Sequence, residues 1–399
     1  MSSAWQTVSL GDVCTVVNGG TPKTGVAEYW DGENLWITPA EMGKRISPYV
    51  DDSARKITEL GLRDSSARML PPYSVILSSR APIGHLVINT MPMATNQGCK
   101  GLVPSAQLEH KFLYYYLSSI VDLLNELGSG ATFKELSGGK LKEVEIPLPP
   151  LPEQQRIVGI LDEAFDGIAT AKSNAEKNLQ SARALFESHL DLVLTRRGKD
   201  WTETTLGKAT GGVSTGPFGS LLHKRDYVEN GIPLVNPAHI TETGIEPDLR
   251  KTVSSESTVR LSAYVMREGD IVIGRRGEMG RCALVTSVED GWLCGTGSFF
   301  IKPSEVCDTS YLVRFLRSQG CREALEKLAG GAVMPNLSNV ALSNLRFHLP
   351  PLDVQREILR DIDVLHEETQ RLESLYQQKL AALDELKKSL LHQAFSGAL

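Results

Sequence analysis

The sequence predicts an α+β protein in which two similar globular domains are joined by two long helices that form an antiparallel coiled coil, a tandem repeat with pseudo-twofold symmetry. Three observations lead to this prediction: short motifs occur twice in one order, a heptad pattern ends each copy, and strand-like and helix-like segments alternate in the rest. The predicted parts are residues 1–150 (first domain), 151–197 (first helix), 198–351 (second domain) and 352–399 (second helix).

The repeat rests on pairs of short motifs. A Trp-x-x-x-x-Leu-Gly opening, a turn that contains arginine, a Gly-Ala pair and a Pro-Pro-Leu each occur twice. The pairs begin at Trp5 and Trp201, Ser79 and Arg275, Gly130 and Gly331, and Pro149 and Pro350. We also align Gln155–Arg156 with Gln355–Arg356. The period is far too long for a solenoid, so the chain carries two copies of one domain-sized unit.

Each copy begins with short strands and helices. In copy one, Val75–Ser78 and His85–Ile88 read as strands around a turn, Lys111–Leu127 as a helix and Glu143–Leu148 as a strand. In copy two, the matching segments are Ile271–Gly274, Ala283–Thr286 and Ser310–Leu328. The common order predicts the same mixed fold for both domains.

Each copy ends with a long helix. Pro152 and Glu153 suit the first turn of the first helix. Apolar residues then alternate at spacings of four and three, and a helix of about 43 residues would be about 65 Å long. The residues expected to carry the pairing are Ile157, Leu161, Ile168 and Leu185 in the first helix and Ile358, Ile362, Leu365, Leu372 and Leu383 in the second.

The two heptad seams are complementary in size. Ala171 and Ala175 in the first helix correspond to Leu372 and Tyr376 in the second. Pairing a thin seam with a thick one fills space better than pairing either with itself, so we expect the helices to pair within one chain. The alternative is two separate helices, each docked on a globular domain.

Composition excludes several classes of protein. No apolar run approaches the roughly 18 residues of a membrane span, and residues 1–12 lack the features of a signal peptide, so we expect a cytoplasmic protein without membrane contact. The six cysteines form no C-x-x-C pair. We expect them to be reduced and mostly buried, and we expect no metal site.

A resemblance to a known family adds to this reading. Residues 147–157 read Pro-Leu-Pro-Pro-Leu-Pro-Glu-Gln-Gln-Arg-Ile and resemble the central conserved region of type I restriction–modification specificity subunits. Residues 349–356 resemble its second copy, and the Trp-x-x-x-x-Leu-Gly opening is also typical. Asp353–Val354 departs from the Pro-Glu-Gln of the first copy, so we expect a looser start of the second helix.

The resemblance implies a division of labour. Each domain would be a target-recognition domain that reads half of a split site on double-stranded DNA. The helices would act as a spacer and as the docking surface for two methyltransferase (M) subunits, and restriction/translocase (R) subunits would join them. S-adenosylmethionine, ATP and magnesium would be used by these partners, and this chain would bind no cofactor and have no catalytic residue.

The residues support that division. Leu70-Pro71-Pro72-Tyr73 and Asn236-Pro237-Ala238-His239 each miss part of the Asn/Asp/Ser-Pro-Pro-aromatic box that an adenine methyltransferase needs, and no G-x-x-x-x-G-K-[ST] phosphate loop is present. The net charge of −6 lies in the helices, since residues 153–195 and residues 353–395 each sum to −3. The domains are therefore neutral overall, which permits a local basic face for DNA.

Candidate DNA-reading residues are polar side chains on turns and glycine-rich loops. Arginine suits guanine, and asparagine or glutamine suits adenine, although phosphate contact is the alternative for each. In copy one they are Thr21, Lys23, Arg80, Asn96, Gln97, Thr132 and Lys134; in copy two, Ser214, Thr215, Arg275, Arg276, Asn336 and Ser338. Since the two sets differ, we expect a bipartite, asymmetric site with half-site centres roughly 10 bp apart. A rival hypothesis is a coiled-coil scaffold with two protein-binding adaptor domains.

Overall fold

The computed structural model describes residues 5–130, 134–218, 221–330 and 336–399. It is a mixed α/β structure that divides into two compact units, the first formed by Met1–Ala175 with Gln378–Leu399 and the second by Glu176–Gln377. Each unit contains part of both long helices, because the division falls inside them. The four-part division along the chain given above stays a prediction.

Unit 1 begins with short strands and ends in a long helix. Its elements up to that helix are β1 Gln6–Ser9, α1 Leu10–Val13, β2 Cys14–Asn18, β3 Trp30–Ile37, α2 Pro39–Met42, β4 Tyr49–Val50, β5 Arg55–Ile57, α3 Glu59–Arg63, β6 Val75–Ser79, β7 Ile83–Asn89, β8 Met93–Thr95, β9 Cys99–Pro104, α4 His110–Ser119, α5 Val121–Leu127, α6 Gly138–Lys142, β10 Glu145–Leu148 and α7 Leu151–Thr195. The strands predicted in copy one are confirmed, whereas the single helix predicted over Lys111–Leu127 is two helices that break at Ile120.

A five-stranded sheet in the order β2-β9-β6-β7-β4 organises unit 1. Its middle strand β6 pairs antiparallel with both β7 and β9, and Val75, Ile76 and Leu77 are fully buried. A strand covered on both faces needs this continuous apolar run. Because β2, β6, β7 and β9 are antiparallel, the loops after β2 and β6 and before β7 and β9 lie at one end of the sheet.

Unit 2 repeats this plan. Its elements are β11 Thr202–Thr205, α8 Leu206–Ala209, β12 Val213–Thr215, β13 Tyr227–Val228, β14 Leu234–Val235, β15 Thr252–Val253, α9 Ser255–Arg260, β16 Ile271–Gly274, β17 Cys282–Leu284, β18 Leu293–Cys294, β19 Ser298–Ile301, α10 Thr309–Arg317, α11 Gln319–Leu328, α12 Asn339–Ser343, β20 Arg346–Leu349 and α13 Leu352–Ser396. The sheet order β12-β19-β16-β17 matches β2-β9-β6-β7, and β11 pairs with β20 as β1 pairs with β10. The predicted internal repeat is therefore visible in the topology.

The long helices belong to the cores of both units. In unit 1, Ile157, Leu161 and Ala394 are fully buried against the domain. In unit 2, Leu194 and Ile362 are almost fully buried in the same way. Most of the stability of such long helices comes from this packing rather than from intrinsic propensity.

One buried glutamine fastens each domain to the start of its helix. The Gln154 amide is fully buried, accepts from Glu109 N at 2.8 Å and donates to the carbonyls of Gln107 and Pro149 at 2.9 and 2.8 Å. Gln355 makes the same three bonds in unit 2, with Asp308 N at 2.8 Å, Val306 O at 3.0 Å and Pro350 O at 2.7 Å. The residue equivalent to Gln355 is thus Gln154, and our alignment on Gln155 was wrong by one position.

The expected loosening of the second long helix is also wrong. Helix α13 begins at Leu352, the position that corresponds to Leu151 at the start of α7. Asp353 supplies an acid in the first turn, where the helix dipole favours it, and Gln355 fixes the turn to the domain.

Within each unit the two helical segments run antiparallel. In unit 1, Arg156 donates to Leu399 O, Lys387 lies 5.0 Å from the Phe165 ring, and Lys172 pairs with Asp384 at 2.8 Å. In unit 2, Arg183 pairs with Glu373 at 2.7 Å, and the rings of Phe186 and His366 are 5.2 Å apart. The residue numbers in these contacts rise along α7 as they fall along α13, so the segments are antiparallel. The two alternatives from the sequence, pairing of the helices and docking of each helix on a domain, therefore both hold in part.

The heptad seam departs from the expected register in its second half. Ile157, Leu161, Ile168, Ile358 and Ile362 are buried, and Leu365 and Leu383 are half-buried, but Leu185 and Leu372 are 67% and 41% exposed. Phe186 and Leu190 face inward where Leu185 was expected. An α-helix of 3.6 residues per turn drifts from a strict 3.5 repeat, and unit 2 draws Leu190 and Leu194 into its core.

Two expectations from composition can be compared with the structure. The six cysteines are free and buried, as predicted. None of the helices in the described part of the chain combines the length and apolar character that a transmembrane segment needs.

Candidate nucleic-acid interface

In unit 1, several candidate readers meet at one end of the five-stranded sheet. The Asn96 amide donates to Thr21 Oγ1 at 3.1 Å, and the Thr21 hydroxyl donates to Gln97 Oε1. Asn96 Oδ1 accepts from Gly98 N at 2.7 Å. Gln97 is the exposed member of this cluster, and the hydroxyl of Thr21 occupies its Oε1.

Glycine is required beside this cluster. A Cβ atom on Gly19 would lie 1.9 Å from Asn96 O, closer than any real contact. The loop after β2 can therefore approach the loop before β9 only because position 19 has no side chain. Lys23, on the same loop, is exposed.

Arg80 lies in the turn after β6 with a second cation below it. Arg80 Nη1 and Lys100 Nζ are each 3.9 Å from the carboxylate of Glu135, and Lys100 is only 8% exposed. Sequence reasoning did not select Lys100 or Glu135. The signal for Lys100 was a lysine at the start of an otherwise buried strand, since lysine is rarely buried without a partner.

Unit 2 has the same loop framework. Arg275 N donates to Gly297 O at 3.0 Å and Leu337 N to Arg275 O at 2.9 Å, just as Ser79 N donates to Gly98 O at 2.7 Å and Leu136 N to Ser79 O at 2.9 Å. Arg276 forms an isolated backbone β-bridge with Asn336, as Arg80 does with Glu135. Arg276 is therefore the equivalent of Arg80, and Arg275 stands where unit 1 has Ser79.

The chemistry on this framework differs between the units. The Arg275 guanidinium lies 5.0 Å from the Phe218 ring and 5.4 Å from the Phe299 ring, and its Nε donates to Asn336 Oδ1 at 3.2 Å. Burial, and then the charge of Arg276, lower the pKa of Arg275. By strand register Phe299 occupies the position of Lys100. Each unit has one arginine at the equivalent turn position, Arg80 or Arg276, and the second cation is Lys100 on the strand in unit 1 and Arg275 on the turn in unit 2.

The remaining candidates are placed as follows. Ser214 and Thr215 are half-buried on β12, and Lys134 is exposed. The Ser338 hydroxyl accepts from Ala341 N at 3.1 Å and caps α12, as Ser137 caps α6. Capping leaves Ser338 a structural task, so base contact is the weaker assignment for it. Thr132 lies outside the described residues.

A metal site would need several His, Cys, Asp or Glu side chains close together. No group of three or more His, Cys, Asp or Glu side chains suited to hold a metal occurs among the residues that the structure describes. The candidate readers described above carry amide, hydroxyl, guanidinium and ammonium groups, which are groups that contact bases and phosphates.

Comparison with known proteins identifies the family of this chain. The family described as type I restriction modification DNA specificity domain matches residues 2–179 and 219–381, one stretch for each copy of the repeat. The chain belongs to this family. Its role is therefore DNA recognition.

Individual relatives agree with the family match. The type I restriction enzyme MjaIX specificity subunit of Methanocaldococcus jannaschii is 27% identical over 99% of this chain and 93% of its own length. The EcoR124I/EcoR124II specificity subunit of Escherichia coli is 29% identical over 48% of each chain.

Solved structures share the fold. A chain from a study of complex assembly and conformational transition of the type I R-M system aligns with a TM-score of 0.74, covering 100% of this chain and 99% of its own, at 19% identity. The HsdS subunit of Thermoanaerobacter tengcongensis aligns with a TM-score of 0.66, covering 100% and 98%, at 19% identity.

Proposed function

We propose that this chain is the non-catalytic specificity subunit of a type I restriction–modification complex and that its two units read two different half-sites of one bipartite, asymmetric DNA sequence. The observation that carries the proposal is the repeated loop framework with unlike side chains. Matched backbone hydrogen bonds place Arg80 and Arg276 at equivalent positions. Phe299 and Asn336 of unit 2 occupy the positions that Lys100 and Glu135 occupy in unit 1. The same frame with different chemistry favours different bases.

We further propose that the antiparallel segments of α7 and α13 form one continuous coiled coil with pseudo-twofold symmetry. The ion pairs Lys172–Asp384 in unit 1 and Arg183–Glu373 in unit 2 support this, because they connect the same two helices in the same relative direction. Such a spacer would fix the distance between half-sites, with centres about one turn, or roughly 10 bp, apart.

The coiled coil would also recruit the partners. Leu185, Leu192 and Leu372 are 67%, 65% and 41% exposed, and exposed leucines on the long helices favour protein contact. We assign this surface to two methyltransferase subunits, with restriction/translocase subunits completing the complex. S-adenosylmethionine, ATP and magnesium would be used by those partners.

The test is methylome sequencing of a host that expresses this chain with its methyltransferase subunit. We expect one motif with two different half-sites. Arg80→Gln should change only one half and Arg276→Gln only the other, since each side chain belongs to one unit. Arg63→Gln and Arg346→Gln, at exposed sites of the same units, are the matched controls and should leave the motif unchanged.

Three results would overturn the proposal. A motif that both arginine variants alter in the same half would show that one unit does not read DNA. Loss of all sequence preference would favour the scaffold with two protein-binding adaptor domains. Methyl transfer by the purified chain alone would show that it is an enzyme.

A further inference from the structure

Unit 2 contains a cavity of about 310 Å³ whose wall carries three arginines. Arg281 lies just before β17, Arg317 ends α10 and Arg322 lies in α11. The carboxyl-bearing residues in the same wall are Glu242 and Glu278. Three guanidinium groups against two carboxylates leave an excess of one positive charge.

Arg317 is held by backbone carbonyls rather than by a carboxylate. Its guanidinium donates to Cys282 O at 2.6 and 3.0 Å, to Glu242 O at 2.6 Å and to Thr241 O at 3.1 Å. These acceptors are neutral backbone carbonyls. The bonds fix the side chain, but Arg317 forms no ion pair with a carboxylate among the described residues, so its charge still acts on the cavity.

Arg281 and Arg322 share one carboxylate. Arg281 Nη2 is 2.6 Å from Glu278 Oε2, and Arg322 Nη1 is 3.4 Å from Glu278 Oε1. The hydrogen bond from Arg281 is the main cause that lowers the pKa of Glu278, so this carboxylate stays ionised at neutral pH. The Nε atom of Arg322 is buried and has no hydrogen-bond partner within the described residues, which leaves one donor unused beside the cavity.

The cavity adjoins the candidate reading loops. Glu278 and Arg281 lie on the β16–β17 turn that begins with Arg275 and Arg276. Ala238, which also lines the cavity, lies two residues after Asn236, whose side chain accepts from Gly297 N at 3.3 Å. An anion held here would therefore lie beside the bases that unit 2 reads.

The described residues of unit 1 hold no such set of arginines. By strand register His85 occupies the position of Arg281, and by the helix caps at Glu109 and Asp308 Ser118 occupies that of Arg317. A Cβ atom on Gly84 would meet Val121, whereas one on Gly280 would meet Leu316 O and Arg322. An apolar side chain thus replaces the arginine in unit 1, and the basic cavity is a feature of unit 2.

We propose that this cavity binds one phosphodiester of the DNA backbone that flanks the half-site read by unit 2. The inference rests on the proposed DNA-reading function and adds a contact that positions the duplex. One phosphodiester carries one negative charge, which matches the excess in the cavity, and the guanidinium of Arg322, whose side chain is 37% exposed, is the group that would meet it. A contact to the backbone strengthens binding without selecting bases.

The test uses the complex with its methyltransferase subunit and duplexes that carry one neutral methylphosphonate at successive backbone positions. For the wild type, one position flanking the second half-site should weaken binding about tenfold, the size expected when a hydrogen bond to a charged group is lost. Arg322→Gln should weaken binding to the unmodified duplex similarly, and the methylphosphonate at that position should then have no further effect. The slope of log affinity against log salt should fall by about 0.9.

Controls separate this inference from the proposed function. Arg322→Lys should retain part of the sensitivity to the methylphosphonate, which shows that a folded variant is measured, and Arg346→Gln should behave as the wild type. The methylation motif should be unchanged in every variant. If the wild type has no bipartite motif, the proposed function fails, and this inference with it.

Other outcomes overturn the inference alone. One is a wild-type complex that reads a bipartite motif but tolerates a methylphosphonate at every position. Another is an Arg322→Gln complex that stays as sensitive as the wild type. Calorimetry with inorganic phosphate covers the remaining source of this chemistry: binding of phosphate without any methylphosphonate effect would assign the cavity to a free anion instead of DNA.

Discussion

Replacing Gln154 by methionine should loosen unit 1 where the domain joins α7. Methionine has nearly the same length but makes none of the three hydrogen bonds of the buried amide. The change leaves Glu109 N and the carbonyls of Gln107 and Pro149 without their partner. At about 1–3 kcal/mol for each buried group left unpaired, and with part of the loss recovered by relaxation, we expect about 4 kcal/mol of destabilisation.

Hydrogen exchange followed by mass spectrometry measures this effect in one unit at a time. About 4 kcal/mol corresponds to roughly 1000-fold faster exchange through opening of the junction. We expect it in peptides covering residues 105–119, with residues 306–317 unchanged. Gln355→Met should give the opposite pattern, because it removes the equivalent bonds in unit 2.

The neighbouring residue provides the control. Gln155 is exposed, so Gln155→Met should change exchange by no more than a few-fold. If Gln154→Met proves no more disruptive than Gln155→Met, the buried amide does not hold domain and helix together, and the reasoning fails.

Three further predictions concern charge and burial. Burial raises the pKa of Cys14 and Cys99 to about 12. At pH 8 about one of these thiols in 10,000 is therefore ionised, against about one in four for a free cysteine. Intact-mass measurement should show slow alkylation that becomes fast in denaturant, and fast alkylation of the native chain would contradict this prediction. Arg275→Lys keeps the charge but loses the planar contact with Phe218 and Phe299. Affinity for the second half-site should therefore fall about tenfold in a binding assay. Full retention of that affinity would show that the stacking is irrelevant. Asp162→Asn should lower the melting temperature more than Asp363→Asn, because Asp162 is 34% exposed and binds both Lys111 and Tyr115, whereas Asp363 is 58% exposed and pairs with Arg314. Equal shifts of the melting temperature would contradict this prediction.

The repeat, the order of elements and the existence of both long helices could be predicted from the sequence because each leaves a local signal. Duplicated motifs mark equivalent loops, and continuous apolar runs such as Val75–Ser79 mark buried strands. The break at Ile120 could not be predicted, since no proline or glycine marks it.

The failures have a common physical origin in long-range contacts. Leu185 fits the heptad as well as Leu161 does, but the core of unit 2 draws Leu190 inward and turns Leu185 to the surface. Lys100 and Glu135 lie 35 positions apart in the sequence. The backbone β-bridge between Arg80 and Glu135 brings the Glu135 carboxylate close to Lys100, and a motif search does not reveal such a contact. Gln154 and Gln155 are alike in sequence, and only burial distinguishes them.

The most direct test of the account is to lengthen the spacer. Seven residues of heptad sequence would be inserted after Ala175 in α7 and between Gln377 and Gln378 in α13, and the motif would be read by methylome sequencing with the methyltransferase subunit present. Seven residues add about 10 Å of helix, which equals about 3 bp of duplex. Both half-sites should keep their bases while the gap between them grows by about 3 bp. An unchanged gap in an active complex would contradict the claim that the paired helices set the distance between the two reading units.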